Sequence, residues 1–575
     1  MTILSRRTFL SATAVAAAGI GLVGTASAAT PVPRSERSAR AVVIGSGVGG
    51  SIAAARLAEA GVRTLVLERG KRWPITPAGD TFPPFLQPDR RSSYLTPSPV
   101  FPLQPPVLYK PYTGLFEKVV GQGMSVLCGA AVGGSTLLYA GVWIRPDAAT
   151  FAEILPAVDY DELDAVHYPR AAKRVGIGTV PDDVLASPNY VGTRLFFDQA
   201  RRAGLTAERL PNALNWDIAR AELAGKAVPS VTRGEYFSGV NSGARNSMDR
   251  TYLADAERSG LVEVAPLHRV AGIATAAGGR YRIDVERTDT DGVVQELITI
   301  IADAVFLGAG STGTSRLLVA ARETGALPGL NDQVGRNWGN NGDRILVRAL
   351  VPDPTGGPQG GPMAAGIRDQ SDPGNPVTLT FGPAPLPFDL RLMAMPGFGA
   401  CEPVGDFRYD SATGAVTLHW PADGDAAAQT SVKAMLLKLV EADAGAVPPL
   451  LTDVLSGVTG AVEQVVGGLL GGLTGGATAP LTGGVDRILG IASKAPSGVV
   501  DLGDLDPVTW HPLGGATLGA ACDMFGRVDG HRGLYVTDAS LIPGTTGACN
   551  PTWTIAALAE RCLDDVVAKD VGGVF

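Results

Sequence analysis

The sequence predicts an α/β fold: a parallel, dinucleotide-binding sheet, discontinuous along the chain, with an inserted second domain built on a mainly antiparallel sheet plus helices. Three observations predict it. Residues 41–68 read as strand, glycine turn, helix and strand, ending on an acid. A second apolar run, Leu297 to Leu307, passes through another glycine turn into a helix. A short third strand, Leu534 to Thr537, arrives near the end of the chain. Strand–helix units that recur far apart in sequence point to one sheet interrupted by other structure.

In the first unit, Gly45-Ser46-Gly47-Val48-Gly49-Gly50 follows a strand ending at Ile44. Gly45 permits the tight turn, Gly47 lets backbone approach a pyrophosphate, and Gly50 lets the helix pack close to the strand. The helix start at Val48 and Gly49 offers free N–H groups and a dipole that favour an anion. Glu68, 18 residues past Gly50, suits a ribose diol. An ordinary βαβ unit would explain the glycines but not the placed acid.

Composition sets the frame. A chain of 575 residues is too long for one small core, so two packed domains are expected. The net charge of −8 gives no footprint for nucleic acid or for an anionic membrane. Charged residues make up only 18 %, beside 74 Gly and 42 Pro, which suits a loop-rich exported enzyme better than a disordered chain.

The N-terminus reads as an address. Ser5-Arg6-Arg7-Thr8-Phe9-Leu10, the mildly apolar Ala14 to Val23 and Ala26-Ser27-Ala28 form a twin-arginine signal over residues 1–29, cleaved after Ala28 or Ala29. That route exports folded proteins and suits an enzyme that loads its cofactor before export. The expected location is therefore extracellular. A polar lead to about Ala39 precedes the first strand. The five cysteines show no CxxC, and the five histidines show no HxH or HExxH, so no metal site is expected.

Residues 71–125 are Pro-rich and irregular, as covering structure over a cofactor would be. Gly133-Gly134-Ser135-Thr136 through Gly141 packs small residues closely. It reads either as a second cofactor loop or as a tight packing turn. Helical spacing occupies 193–203 and 217–224, and strands follow at 262–264, 268–273, 281–285 and 297–307. The turn at Gly308-Ala309-Gly310 leads into a helix and returns the chain to the cofactor. Residues 340–440 mix strand and loop, with strands at 378–381, 390–395 and 415–420. Residues 446–500 string apolar pairs on Gly-Gly pairs. They read as a flexible insert, a lipid-facing lid or a membrane anchor, although the glycine density opposes a stable helix. The end of the chain is dense with Trp510-His511-Pro512-Leu513-Gly514-Gly515, Asp538-Ala539 and Asn550-Pro551-Thr552, and a closing helix runs from Ile555 to Val567.

These segments together (GSGVGG, VGGSTLLYAG, FLGAGSTG, WGNNG, WHPLGG, LYVTDASLIPG and NPTWTIAALAER) resemble the glucose–methanol–choline (GMC) oxidoreductase family, and more closely its bacterial cholesterol oxidases with non-covalent FAD. The resemblance runs from about Arg40 to Asp570. It implies FAD and a small-molecule alcohol, sterol or another bulky lipid alcohol, oxidised to a ketone with O2 going to H2O2. It implies that His511 positions and deprotonates the hydroxyl and that Asn550 lies by the flavin. Ser135, Tyr139 and Val142 fall at the isoalloxazine, Val270 at the adenine, and Asp538 and Ala539 at the ribityl–phosphate. Gly134, Gly310, Pro551 and Thr552 complete the cofactor contacts. Covalent flavin is disfavoured because no histidine stands in the glycine loop or shortly after Glu68. A monomer is expected, with transient contact to a membrane surface while substrate is extracted.

Two departures stand out. Gly382 occupies the place of the glutamate that moves the steroid double bond, so an isomerase step is expected to be weak or absent. Tyr139 stands where an asparagine is usual. The alternatives are a dehydrogenase with another electron acceptor, or a flavoprotein with altered chemistry. The expected organisation is FAD-binding parts at 39–80, 246–338 and 506–575. A covering segment runs 81–245 with the flavin loop at 121–145, and a substrate domain at 339–505.

Overall fold

The computed structural model describes residues 31–101, 104–386, 388–444, 498–504 and 506–575. The expected export signal and nearly all of the 446–500 stretch lie outside the described residues.

The nucleotide sheet is built around the strand Val294–Leu307. Arg34–Ile44 lies parallel to it on one side, followed outward by Thr64–Glu68 and Val262–Pro266, also parallel. On the other side the long strand changes neighbours. Its first part pairs antiparallel with Tyr281–Thr288, which pairs with His268–Thr275. Its last part, Val305–Leu307, pairs parallel with Leu534–Val536. The carboxyl end of the sheet is thus completed by chain from the far C-terminus, which confirms a discontinuous domain. The first strand begins at Arg34, five residues before the expected end of the polar lead. Its outer half pairs in register with Leu297–Ala302, helped by the Ser35 hydroxyl donating to Glu296 at 2.6 Å, and leaves Arg34, Glu36 and Arg37 exposed. Hydropathy does not register such a half-strand.

The helix Val48–Glu59 is buried along most of its length between the sheet and the closing helix Thr552–Lys569. Ile52 and Leu57 are fully buried, each contributing about 1.5–3 kcal/mol. The helix Gly310–Glu323 starts at the second glycine turn.

The inserted domain holds a six-stranded antiparallel sheet, in the order Val499–Asp501, Asp343–Arg348, Met393–Phe398, Val377–Thr380, Ala365–Asp369 and Ala207–Arg209. Leu346, Leu379 and Met395 pack on Phe196, Met435 and Leu436 of the helices Val191–Arg202 and Ala426–Ala444. Side chains alternate across a strand, so Asp343 and Phe398 point to the opposite face, toward the nucleotide domain. Three expectations are corrected here. The strand expected at 390–395 is Met393–Phe398, because Pro396 and Gly397 mask its second half. The strand at 415–420 is Ala415–His419, and it pairs with Asp406–Asp410 in a separate hairpin. Ala426–Ala444 is a 19-residue helix in a stretch that reads as strand and loop. The Pro-rich covering segment is pinned by Trp73, Phe82, Leu115 and Phe116, which pack on Leu137 and Leu138 of the second glycine segment.

Candidate active site

The glycine turns meet one another with no room for side chains. Gly45 has φ +93°, and a Cβ there would lie 2.4 Å from the Gly308 carbonyl oxygen. One at Gly49 would lie 1.8 Å from the Thr537 oxygen, and one at Gly50 would lie 2.0 Å from the Gly45 oxygen. Gly50 therefore does what the sequence assigns to it, and Gly49 does the same against the C-terminal strand. A Cβ on Gly134 would sit 2.7 Å from Gly47 Cα, so the first and second glycine segments touch. The front of the cradle is open: at Gly47 the nearest atom is 4.0 Å away, and at Gly310 nothing lies within 4 Å. A glycine-lined opening at a helix N-terminus, with backbone packed behind it, fits a dinucleotide pyrophosphate. The residues present fit FAD.

Ser46, which sequence reasoning passed over, organises this corner. It is fully buried. Its hydroxyl donates to Glu68 Oε2 at 2.7 Å and accepts the Gly133 N–H at 3.0 Å. Its own N–H donates to the same carboxylate oxygen at 3.1 Å, and Gly70 N–H donates to Oε1 at 2.8 Å. Glu68 thus braces the turn. Oε2 is filled by its two donors, and Oε1 retains a lone pair for a diol. The only signal for Ser46 was a polar residue between glycines. Val270 lies on the strand that starts beside this corner, where Leu267 N–H donates to Gly70 O at 3.0 Å.

Asp538 is buried and saturated. Oδ1 accepts Ser540 N–H and hydroxyl, and Oδ2 accepts Gly310 N–H at 2.8 Å and the Thr314 hydroxyl at 2.6 Å. Burial raises its carboxyl against these hydrogen bonds. Its side chain clamps the sheet end to the helix Gly310–Glu323, so a cofactor contact here falls to the backbone of Asp538 and Ala539.

In the second glycine segment Gly134–Leu137 forms one tight turn, with Ser135 exposed and its hydroxyl accepting Gly129 N–H at 2.9 Å. Tyr139 accepts the Trp143 indole N–H at 3.0 Å, and burial pushes its phenol up to about 12, so it stays neutral. The Asn550 amide donates to Val142 O and accepts Ile144 N–H at 3.2 Å. Its polar ends are thus spent on this segment rather than aimed freely. Pro551 and Thr552 follow at the buried start of the closing helix.

His511 is held by a residue that sequence reasoning missed. Nδ1 lies 2.8 Å from Asp343 Oδ1. Asp343 Oδ2 accepts the Thr509 hydroxyl at 2.7 Å and Trp510 N–H at 3.3 Å. Asp343 follows WGNNG directly, one residue beyond the motif. The same four residues reach the other loop. Asn341 donates to Cys549 O at 2.8 Å and accepts Thr546 N–H at 2.9 Å, while the Thr546 hydroxyl donates to Cys549 O at 2.6 Å. Asn340 donates to Asp425 at 2.7 Å. The His511 and Asn550 loops are therefore fastened to one tetrapeptide. Phe398 flanks the imidazole, ring centres 5.5 Å apart.

At Gly382 a Cβ would lie 2.9 Å from Pro396 Cδ. Phe381 points into the helix-side core against Phe196. Asp389 is occupied by the Thr355 N–H and hydroxyl, and Glu402 is exposed. Neither acid has taken over the missing carboxylate's place.

Residues 35–339, 341–451 and 503–559 match the three parts of the GMC oxidoreductase family. A cholesterol oxidase of Mycobacterium tuberculosis (strain CDC 1551 / Oshkosh) is 25 % identical over 569 residues, covering 90 % of this chain and 89 % of its own. A cholesterol oxidase of Acinetobacter baumannii is 25 % identical over 53 % of this chain and 54 % of its own. Among solved structures, pyridoxine 4-oxidase from Mesorbium loti superposes with TM-score 0.57 at 16 % identity over 92 % of this chain and 99 % of its own, the same fold. Motif order, sheet topology, glycine cradle and family match agree: this chain belongs to the GMC oxidoreductase family, FAD-dependent oxidoreductases that act on alcohols.

Proposed function

We propose that this chain is an exported alcohol oxidase of cholesterol oxidase type that oxidises a sterol or another bulky lipid alcohol to the ketone, with no effective isomerase step. The observation that carries this reading is His511 fixed at Nδ1 by Asp343. An acceptor at Nδ1 places the imidazole proton there and leaves Nε2 as a base. A substrate hydroxyl donating to Nε2 loses its proton as the carbinol hydride departs. When bound, FAD supplies the hydride acceptor and the route to O2, with H2O2 as co-product. Phe398 and Trp510 flank the imidazole. Asn550 holds the Val142–Ile144 backbone in place. Non-covalent FAD is favoured because residues 129–141 contain no histidine. Gly382 supports the loss of isomerisation, since it carries no acid and Pro396 crowds the position.

The test is anaerobic titration of the purified flavoprotein with sterols and bulky primary and secondary alcohols. Bleaching of the flavin is expected, with one peroxide per ketone once oxygen returns. Bleaching by none of them sinks the oxidase reading. Complete conversion of cholesterol to the conjugated enone, read by ultraviolet absorbance, sinks the isomerase part. Export is tested by fractionating cells that carry Arg6→Lys and Arg7→Lys together, which is expected to retain the protein inside.

A further inference from the structure

One buried cation beside this site has no part in the alcohol chemistry. Arg245 is 4 % exposed. Its Nη2 donates to Tyr236 O at 2.8 Å, and its guanidinium lies 5.3 Å from the centre of the Tyr139 ring. Nε and Nη1 are shut off from solvent and have no hydrogen-bond partner among the described residues. The ionisable side chains that bear on it are two tyrosines, 139 and 236, and no described carboxylate pairs with it. Burial pulls the guanidinium down to about 10, so it remains a cation at neutral pH. Burying a charge with two unmade N–H bonds costs more than one cation–π contact returns.

Arg245 is tied to both walls of the reaction site. Tyr139 belongs to the segment whose backbone engages Asn550. The Tyr236 hydroxyl donates to Pro383 O at 2.7 Å, one residue from Gly382. The site therefore lacks an acid where the resemblance implies one, and an uncompensated cation is linked to that position through Tyr236 and Pro383. We propose that Arg245 binds a carboxylate on the substrate, so that the site takes a bulky alcohol that also carries an acid group. This rests on the alcohol-oxidase reading above and narrows it. A carboxylate supplies both the acceptors for the two free nitrogens and the counter-charge, in the charge-assisted geometry to which a guanidinium is suited.

The experiment uses the flavin-loaded enzyme and a matched pair: a 3-hydroxysteroid with a side-chain carboxylate, and its methyl ester. A hydroxy fatty acid and its ester are run alongside. Binding is read from the flavin absorbance change, and turnover from anaerobic flavin reduction. The acid is expected to bind at least tenfold more tightly than the ester. Arg245→Met should cut that preference below twofold and Arg245→Lys should keep part of it, both with unchanged flavin content and reduction potential. Equal binding of acid and ester by the wild type, or binding of neither, overturns the proposal. So does a preference that survives Arg245→Met, and a shifted flavin potential beside it would assign Arg245 to the cofactor. If Arg245→Met does not fold, the wild-type acid–ester comparison still decides. Preferential binding of the acid without flavin reduction leaves the carboxylate site standing and removes the oxidase reading.

Discussion

Asp343 and His511 form a hydrogen-bonded pair 2.8 Å apart, linking the inward face of the substrate sheet to the loop that carries the proposed base. Replacing Asp343 by Asn preserves the shape and the acceptor for Thr509, but it can turn an amide N–H toward Nδ1. The imidazole then carries its proton on Nε2 and no longer accepts the substrate hydroxyl. Asp343→Asn is therefore expected to slow flavin reduction by about 10²-fold or more, with flavin still bound and thermal stability nearly unchanged. Rapid-mixing absorbance at the flavin band measures it, and an unchanged rate removes Asp343 from the mechanism.

Asn341→Ala removes two hydrogen bonds, to Cys549 O and from Thr546 N–H, that hold residues 546–549 and thereby aim Asn550. The Cys549 carbonyl keeps only the Thr546 hydroxyl. A loss of about 2–4 kcal/mol in denaturant unfolding is expected, together with slower flavin reduction. Loss of stability alone, with normal reduction, would show that the loop keeps its geometry without Asn341.

Gly134→Ala tests the meeting of the two glycine segments. Its Cβ would lie 2.7 Å from Gly47 Cα, at a positive φ. Backbone has nowhere to move, and the opening for the pyrophosphate is expected to distort. The variant should purify with little FAD while keeping its sheet content by circular dichroism. Full flavin content would mean that the two segments part without cost.

His531 gives a pH dependence. Burial holds its imidazole below the usual 6.5, and Nε2 has no partner among the described residues. The folded state binds fewer protons than the unfolded chain once the pH falls below about 6.5, so stability is lost as pH drops through that value and levels off below the folded pKa. His531→Gln should shrink the fall in melting temperature between about pH 8 and pH 5. An identical fall in both proteins would place the acid sensitivity elsewhere.

The motifs that hold a dinucleotide were legible because they constrain the backbone: Gly45, Gly49 and Gly50 are glycine for reasons of space that any side chain would violate. The return of the chain at Leu534–Val536 was legible because a short apolar run ended in Thr-Asp. The outer half of the first strand was not, since its pairing uses mainly backbone groups and most of its side chains face water. The strand Met393–Phe398 was obscured by Pro396 and Gly397, which oppose strand in isolation and are tolerated here by tertiary pairing. Ser46 and Asp343 were missed for a common reason. Each acts through a partner distant in sequence, and a one-dimensional pattern does not encode who that partner is.

The tetrapeptide Asn340–Asp343 has a further consequence. It grips the loops that carry His511 and Asn550, and the strand Met393–Phe398 pairs with it directly and sets Phe398 against the imidazole. A change in that strand is therefore felt at the imidazole as well as at the wall it belongs to. Any drift in substrate preference in such a scaffold has to keep Phe398 and Asp343 in register while the rest of the wall varies.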